Sequence, residues 1–229
     1  MNIALIGYGK MGHAVEAIAL ERGHCIACTF DSAPDLAAHR DLLAQADLAI
    51  EFTQPTEAPA NLQLCLDMGI PTVCGTTGWY ATHYEAIATL CRQRGGRLLT
   101  ATNFSLGMNI MFALNEHLAT LMAGRTTYKA SITETHHIHK LDAPSGTALT
   151  LQEQIHSYGN RDASEIPIRS IREGEVAGIH TVSYTSPEDT LTLTHQAHSR
   201  RGLALGAVVA AEWLFEAAPG VYTLQDLLR

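Results

Sequence analysis

Strand-like and helix-like patterns alternate along the first half of the chain. Short apolar runs predict strands at 2–6, 24–30, 46–52, 71–74 and 97–101. Between them, apolar residues recur at helical spacing over 11–22, 58–68 and 80–94. This alternation is typical of βαβ units that build a parallel, doubly wound sheet. The first domain is therefore predicted to be an α/β domain that spans residues 1–104.

The pattern changes after residue 104. Helices are predicted at 105–121 and 145–158, and period-two alternation predicts strands at 126–134, 179–185 and 190–196. These elements indicate a second domain, of the α+β class, over residues 105–201. Segment 199–202 has the composition of a hinge, and a helix predicted at 203–217 carries apolar stripes. Residues 202–229 are therefore predicted to return to the first domain and complete it.

The charge and the apolar tracts limit the possible partners. The net charge is -8, which disfavours nucleic acid or an anionic membrane as the main partner. The longest apolar tract, 202–211, is too short to span a bilayer. No signal peptide is visible, and the five cysteines are scattered. These features predict a cytoplasmic protein that captures any anionic ligand in a local basic pocket.

A glycine-rich loop directly follows the first predicted strand. It reads Gly7-Tyr8-Gly9-Lys10-Met11-Gly12 and leads into the first predicted helix. In this context, glycines permit a tight turn, close approach of the backbone to a pyrophosphate, and close packing of helix on strand. Asp31 ends the second strand, where a carboxylate accepts hydrogen bonds from the adenosine ribose and favours NADH. Because Lys10 could instead meet a ribose 2′-phosphate, we expect NADH to be at least as good a cofactor as NADPH.

Two further loops follow later strands of the same sheet. Gly75-Thr76-Thr77-Gly78 follows the fourth strand, and Ala101-Thr102-Asn103-Phe104 follows the fifth. Ligands of open α/β sheets bind at the carboxyl ends of the strands. The backbone groups of both loops are therefore candidates to contact the nicotinamide and its ribose, although either could be a simple turn.

The richest chemistry lies in the second domain, between Glu134 and Ala148. His136, His137, His139 and Lys140 precede Ser145, a candidate N-cap that leaves the amides of Gly146 and Thr147 for an anion. His136 and Lys140 are four residues apart and are expected to share one face of a strand or helix. His136 could be a general acid or an anion ligand, and Lys140 could bind a carboxylate or give up a proton. The alternatives are a zinc site at His-His-x-His and simple surface histidines.

These residues resemble the signature of the 4-hydroxy-tetrahydrodipicolinate reductase (dihydrodipicolinate reductase) family. The resemblance extends over nearly the whole chain and includes the glycine loop. Further matching motifs are Glu51-Phe52-Thr53-x-Pro55, Gly75-Thr76-Thr77-Gly78, Asn103-Phe104-Ser105-x-Gly107-x-Asn109, Arg172-Glu173-Gly174, Gly178-x-His180 and His195-x-Ala197-x-Ser199-Arg200.

The resemblance implies an enzyme of the diaminopimelate route to lysine. It implies an N-terminal Rossmann domain that binds NADH or NADPH, and a mixed-sheet domain that binds a cyclic dicarboxylate and forms a homotetramer. The implied acid/base pair is His136 and Lys140. The implied substrate-binding residues are His137, Lys140, Ser145, Gly146 and Thr147. The implied cofactor contacts are Gly7, Tyr8, Gly9, Lys10, Met11, Gly12, Asp31, Gly75, Thr76, Thr77, Ala101, Thr102, Asn103 and Phe104; no metal is implied.

Several alternatives stay open at the level of sequence. Either His136 or Lys140 could deliver the proton that accompanies hydride transfer. A related two-domain dehydrogenase acting on another amino dicarboxylate, such as aspartate, is the main rival function. A non-enzymatic NADH sensor that binds DNA is disfavoured because no helix-turn-helix segment or basic face is evident.

Overall fold

The structure of the protein is a computed structural model that describes residues 1–199 and 201–228. The chain forms two units: one comprises Met1–Leu106 with Arg201–Arg229, and the other comprises Gly107–Arg200. Arg200, which belongs to the predicted hinge, lies outside the described residues. In the part of the chain that is described, no helix is both long and apolar enough to cross a membrane.

Strands and helices alternate along most of the first unit. The strands are β1 (Asn2–Ile6), β2 (Cys25–Phe30), β3 (Leu48–Glu51), β4 (Thr72–Cys74), β5 (Arg97–Thr100) and β10 (Gly220–Thr223). The helices are α1 (Lys10–Glu21), α2 (Ala33–Ala38), α3 (Arg40–Leu43), α4 (Ala58–Asp67), α5 (Tyr80–Arg94), α8 (Arg201–Glu216) and α9 (Leu224–Leu227). All neighbouring strands pair in parallel, in the order β10-β5-β4-β3-β1-β2.

The sheet of the first unit is covered on both faces. Ile3 and Leu5 of β1 lie in a core cluster that includes residues of α1 and α8. Ala4 and Ile6 point the other way, into a cluster with residues of α2 and α3. Since parallel sheets are buried on both faces, their strands are continuously apolar, which is the pattern that predicted these strands.

The second unit contains a four-stranded mixed sheet and two long helices. The strands are β6 (Lys129–His136), β7 (Ile168–Arg172), β8 (Gly178–Thr185) and β9 (Thr190–Ala197), and the helices are α6 (Leu106–Met122) and α7 (Gly146–Gly159). The strand order is β7-β6-β8-β9, with β6 parallel to β7 and antiparallel to β8. Alternate residues of β6 and β8 are buried, so one face of this sheet forms the core.

The predicted fold class is confirmed: a doubly wound parallel sheet is combined with an α+β unit that has a mixed sheet. Among the α-helices and β-strands of the described residues, the sequence pattern missed five, which are α2, α3, β7, β10 and α9. Each of them has at most six residues. Elements this short show no periodicity; β3 and β4, which are as short, were predicted from their fully buried apolar runs, whereas β7 and β10 are only partly buried.

Candidate active site

The glycine loop connects β1 to α1, as the sequence predicts. Gly7 has φ +89°, and a Cβ atom there would lie 2.1 Å from the Phe52 carbonyl oxygen. A Cβ atom on Gly12 would lie 2.5 Å from the Gly7 oxygen, so both positions require glycine. By contrast, a Cβ atom on Gly9, the N-cap of α1, would have no neighbour within 4 Å. The loop is therefore tightly packed on the protein side and open at Gly9, which fits the close approach of a pyrophosphate.

The outer side of the glycine loop carries several carboxylates. Asp31 directly follows β2 and is exposed, and its amide lies 3.4 Å from Asp35 Oδ2. Tyr8 of the loop donates its hydroxyl to Glu16. That hydrogen bond raises the pKa of Tyr8, and the charge of Asp31 adds to the effect. Lys10, at the start of α1, is exposed.

Three of the loops predicted to contact a cofactor meet at Phe52. A Cβ atom on Gly75 would lie 2.0 Å from the Phe52 ring, and Gly7 packs against the Phe52 carbonyl. The Phe104 ring packs edge-on against the Phe52 ring, with centroids 5.8 Å apart. Phe52 is absent from the predicted site residues because only the fold brings two glycine loops around this one aromatic residue.

Buried polar contacts hold the loops after β3 and β4. Glu51, fully buried at the end of β3, accepts the Thr53 amide at 3.1 Å and the Cys74 thiol at 3.0 Å. The Thr53 amide also lies 2.8 Å from Thr76 Oγ1. Burial, together with the Glu51 charge, raises the pKa of Cys74 well above its usual range, so this thiol stays protonated. These contacts fix the backbone of both loops, and the side chain of Thr76 is itself buried.

Four other predicted cofactor contacts lie on the loops after β4 and β5 and are at least partly exposed. Thr77 and Thr102 are exposed, and Ala101 is half-buried. Asn103 is half-buried, and its Oδ1 accepts the Ser105 amide at 2.8 Å. The structure thus places backbone and side-chain groups of these loops at the carboxyl end of the parallel sheet, where a dinucleotide binds in folds of this type.

Ser145 is the N-cap of α7 in the second unit, as predicted. Its φ and ψ of -70° and 155° are extended, and its hydroxyl accepts the Ala148 amide at 3.2 Å. Gly146 and Thr147 are the first two helical residues, so their amides have no acceptor within the helix. No acidic residue lies in the first turn. This helix end is therefore suited to a carboxylate.

The segment before α7 differs from the prediction. β6 ends at His136, and the Lys140 amide donates to the His137 carbonyl at 3.1 Å in the turn that follows. The expectation that His136 and Lys140 share one face of a strand or helix is wrong, because neither element continues through this turn. The rings of His137 and His139 lie 6.1 Å apart.

Lys140 is paired with a carboxylate of its own turn. Its Nζ lies 2.8 and 2.9 Å from the two carboxylate oxygens of Asp142, and this interaction lowers the pKa of Asp142. Arg172 of β7 donates Nε to the Lys140 carbonyl at 3.2 Å and Nη2 to the Asp142 carbonyl. Asp142 thus holds the ammonium group and Arg172 holds the backbone of the turn, and a substrate carboxylate would compete with Asp142 for the ammonium.

Three buried ionisable side chains lie next to this turn. Glu134 Oε2 is 3.3 Å from His136 Nδ1 and 3.8 Å from His180 Nε2. Burial lowers the pKa of His136, and burial lowers the pKa of His180 to about 4. Burial alone would raise the pKa of Glu134, but hydrogen bonds from Ser145 and Ser170 hold it below its usual value. An ionised carboxylate therefore faces two imidazoles that are neutral at pH 7.

The residues that converge as possible metal ligands in the structure differ from those of the predicted zinc alternative. Within the described residues, three possible metal ligands converge within 4.8 Å of one another: Glu134, His136 and His180. This set contains only one histidine of the His-His-x-His segment. Arg172 Nη2 lies 3.4 Å from Glu134 Oε1, and a guanidinium so close disfavours a bound dication. The cluster is better suited to holding and moving protons than to binding a metal.

Sequence reasoning assigned no role to four residues of this region: Glu134, Asp142, Arg172 and His180. Arg172 and His180 were visible only as members of matching motifs. Strand pairing brings three of these residues together. Glu134 faces His180 across β6 and β8, and Arg172 lies on β7, which pairs with β6. Such long-range pairing cannot be read from local spacing.

The fold and these two sets of residues define a class. The chain combines a nucleotide-binding Rossmann-type unit with a separate α+β unit that carries a helix N-terminus suited to an anion and titratable groups, as in two-domain NAD(P)-dependent oxidoreductases. The chain belongs to the dihydrodipicolinate reductase family. The family model for the N-terminus of dihydrodipicolinate reductase matches residues 1–104, and the model for the C-terminus matches residues 107–228. The family predicted from the sequence motifs is confirmed.

Similar proteins cover the chain from end to end. The 4-hydroxy-tetrahydrodipicolinate reductase of Christiangramia forsetii is 43% identical over 237 residues, which cover 100% of this chain and 98% of that protein. The corresponding enzyme of Akkermansia muciniphila is 35% identical and covers 96% of this chain and 94% of its own length. The dipicolinate-bound dihydrodipicolinate reductase from Paenisporosarcina sp. TG-14 has the same fold, with a TM-score of 0.83 at 20% identity over 99% of both chains.

Proposed function

We propose that this protein reduces 4-hydroxy-tetrahydrodipicolinate to tetrahydrodipicolinate with NAD(P)H, in the diaminopimelate route to lysine. The observation that carries the proposal is the turn between β6 and α7. In this turn, the ion-paired Lys140 lies between the buried His136 and the Ser145 cap of α7. Cations and open helix amides suit a dicarboxylate, and the reductases named above are similar over the whole chain.

The cofactor is proposed to bind the first unit, where it supplies the hydride. The residues proposed to hold it are Gly7, Tyr8, Gly9, Lys10, Met11, Gly12, Asp31, Gly75, Thr76, Thr77, Ala101, Thr102, Asn103 and Phe104. The open space at Gly9 fits a pyrophosphate. Asp31, with Asp35 beside it, favours the ribose hydroxyls of NADH over a 2′-phosphate, because like charges repel. NADH is therefore proposed to serve at least as well as NADPH.

The substrate is proposed to bind the second unit. Its carboxylates are received by His137, Lys140, Ser145, Gly146 and Thr147. Arg172 keeps the Lys140 turn in place through the carbonyls of Lys140 and Asp142. A proton for the reduced ring is delivered from the His136/Lys140 pair. Of the two, His136 is buried and faces the Glu134 carboxylate, whereas Lys140 carries the charge that attracts a carboxylate.

We also propose a homotetrameric assembly and a cytoplasmic location. The resemblance to the family supports a homotetramer built through the second unit, and a cytoplasmic enzyme. Nucleic acid is not among the proposed partners, since the net charge is -8.

A coupled assay with substrate generated in situ tests the proposal. The protein should oxidise NADH and NADPH only when this substrate is present, and kcat/KM with NADH should equal or exceed that with NADPH. Lys140→Ala should lower kcat by about 100-fold, a typical loss for an acid/base or charge-positioning group, with KM for NADH unchanged. Lys129→Ala removes an exposed lysine at the start of β6 and should behave like the unmodified protein.

Three results would count against specific parts of the proposal. Oxidation of NADH with aspartate but not with the cyclic substrate would favour the rival dehydrogenase. Near-normal turnover of Lys140→Ala would remove Lys140 from the mechanism. A large preference for NADPH would overturn the role given to Asp31.

A further inference from the structure

A buried carboxylate on the second sheet contacts both parts of the proposed substrate site. The side chain of Glu134 is fully buried. Its Oε1 accepts the Ser145 amide at 3.0 Å and the Ser170 hydroxyl at 2.7 Å, and Arg172 Nη2 lies 3.4 Å away. Its Oε2 has no hydrogen-bond partner among the described residues and faces the His136 ring. Burying a carboxylate is costly, so this position calls for an explanation.

The strand geometry places the groups around Glu134 on one face. Glu134 and His136 are two residues apart on β6, and therefore point to the same side of the sheet. His180 on β8 is the direct cross-strand partner of Glu134. The His136 and His180 rings meet edge to face, with centroids 4.9 Å apart. His180 Nε2 lies 3.3 Å from Ser145 Oγ, so the cluster ends at the N-cap of α7.

The two oxygens of Glu134 thus serve two neighbours. Oε1 fixes the backbone of Ser145, and with it the helix end proposed to receive a substrate carboxylate. Oε2 lies 3.3 Å from His136 Nδ1 at ion-pair distance, and neither atom has a hydrogen-bond partner among the described residues. One rigid group therefore sets the relative placement of the anion-binding turn and of a candidate proton donor.

We propose that Glu134 is a positioning residue for the reaction: its carboxylate holds the proton of His136 on Nδ1, stabilises the imidazolium form, and fixes that ring relative to the Ser145 turn. This role rests on the proposed function, because it concerns the same substrate site. A carboxylate that orients an imidazole and stabilises its cation is a common arrangement behind histidines that transfer protons.

The charges around His136 determine what the loss of Glu134 would do. The groups that face it come from β6, the following turn, β7 and β8, and they are Glu134, Lys140, Asp142, Arg172 and His180. Burial lowers the pKa of His136, Glu134 opposes that effect, and Lys140 and Arg172 reinforce it. Asp142 also opposes the effect of burial, but Glu134 is the larger of the two opposing charges, so the pKa of His136 falls further without the Glu134 carboxylate. A general acid with a lower pKa is protonated over less of the pH range, so its activity is lost at lower pH.

The first test follows the histidine directly by ¹⁵N NMR, with signals assigned by comparison with His136→Gln. In the unmodified protein, neutral His136 should carry its proton on Nδ1. In Glu134→Gln, the titration midpoint of His136 should move down by about 1 pH unit or more, the size expected for loss of an opposite charge at this distance. Glu188→Gln changes an exposed glutamate in the β8–β9 turn and should leave the midpoint in place.

The second test follows the reaction. In Glu134→Gln, kcat should fall at least about tenfold while KM for NADH stays unchanged, and the high-pH loss of kcat should shift to lower pH by the same amount as the NMR midpoint. Glu134→Asp keeps the charge and should restore part of both shifts. A role confined to holding the Ser145 turn would raise KM for the substrate without moving the pH profile.

Different results overturn different statements. An unchanged His136 midpoint in folded Glu134→Gln, or an Nε2 proton on neutral His136 in the unmodified protein, would overturn the role of Glu134. The second observation needs no variant, so it decides the matter even if Glu134→Gln fails to fold. Absence of turnover in the unmodified protein, with the NMR coupling intact, would contradict the proposed function and support the Glu134–His136 coupling.

Discussion

At the scale of single residues, one end of the buried face of the second sheet is polar. The inward positions of β6 begin with the apolar Ala130 and Ile132 and continue with Glu134 and His136. Burial disfavours the charged form of an imidazole, because the protein interior solvates a charge less well than water does. The cluster therefore ties the stability of the fold to pH.

We expect His180 to make the protein less stable in acid. Burial lowers the pKa of His180 to about 4, whereas the unfolded chain has a value of about 6.5. Between these values the unfolded state binds more protons, so stability is fully present above pH 6.5 and is lost as the pH falls toward 4. The loss amounts to about 3 kcal/mol for a shift of this size.

Urea unfolding between pH 7 and pH 4 measures this effect. His180→Asn should have a free energy of unfolding that depends less steeply on pH in this window. His117→Asn, at an exposed position of α6, should retain the full dependence. Equal slopes for all three proteins would contradict the assignment of His180 as a buried neutral imidazole.

At the scale of elements, strongly periodic segments could be predicted from the sequence, whereas features that depend on strand pairing could not. β1 and α5 have the predicted bounds, because apolar runs and helical spacing are local properties of the sequence. β7 was missed since its sequence, Ile-Arg-Ser-Ile-Arg, does not alternate cleanly, and its assignment depends on parallel pairing with β6.

The same distinction between local signals and long-range contacts applies to the candidate site. The glycine loop and the Ser145 cap are local signals, and the structure contains both. Glu134 contacts His180 and Arg172, which follow it in the sequence by 46 and 38 residues. The expected common face of His136 and Lys140 failed because the strand ends at His136, which spacing alone does not reveal.

Helix α7 should depend on its N-cap. Ser145→Ala removes the acceptor for the Ala148 amide and should destabilise the protein by about 1 kcal/mol, while Ser145→Thr should retain most of the stability. Ser157→Ala changes an exposed serine at the other end of α7 and is the matched control. Thermal unfolding followed by circular dichroism gives the comparison. If Ser145→Ala costs no more than Ser157→Ala, the cap contributes nothing to the stability of this helix.

At the scale of the whole molecule, the C-terminal segment belongs to the first unit. The buried residues of α8 include Val208 and Leu214, which lie in the same core cluster as Ile3 and Leu5 of β1. A Cβ atom on Gly206 would lie 1.7 Å from the Phe104 carbonyl oxygen, so α8 packs against the chain where β5 ends. β10 then adds a parallel strand beside β5. The nucleotide-binding unit is therefore assembled from both ends of the chain.

A chain that ends at residue 199 should lose the first unit and keep the second. The truncation removes Val208, Leu214 and Leu224, which are at most 1% exposed. Burying a Val or Leu side chain contributes about 1.5–3 kcal/mol, so the loss from these three is on the order of 5–9 kcal/mol, comparable with the stability of a typical domain. Hydrogen exchange should then show unprotected amides in β1 and β3 and protected amides in β6 and β8, and binding of NADH should disappear.

In the untruncated chain, Gly206→Ala should weaken protection in the first unit alone, because the added methyl group collides with the backbone at Phe104. If the truncated chain still binds NADH with normal affinity, α8 and β10 are accessories to a sheet that is stable without them.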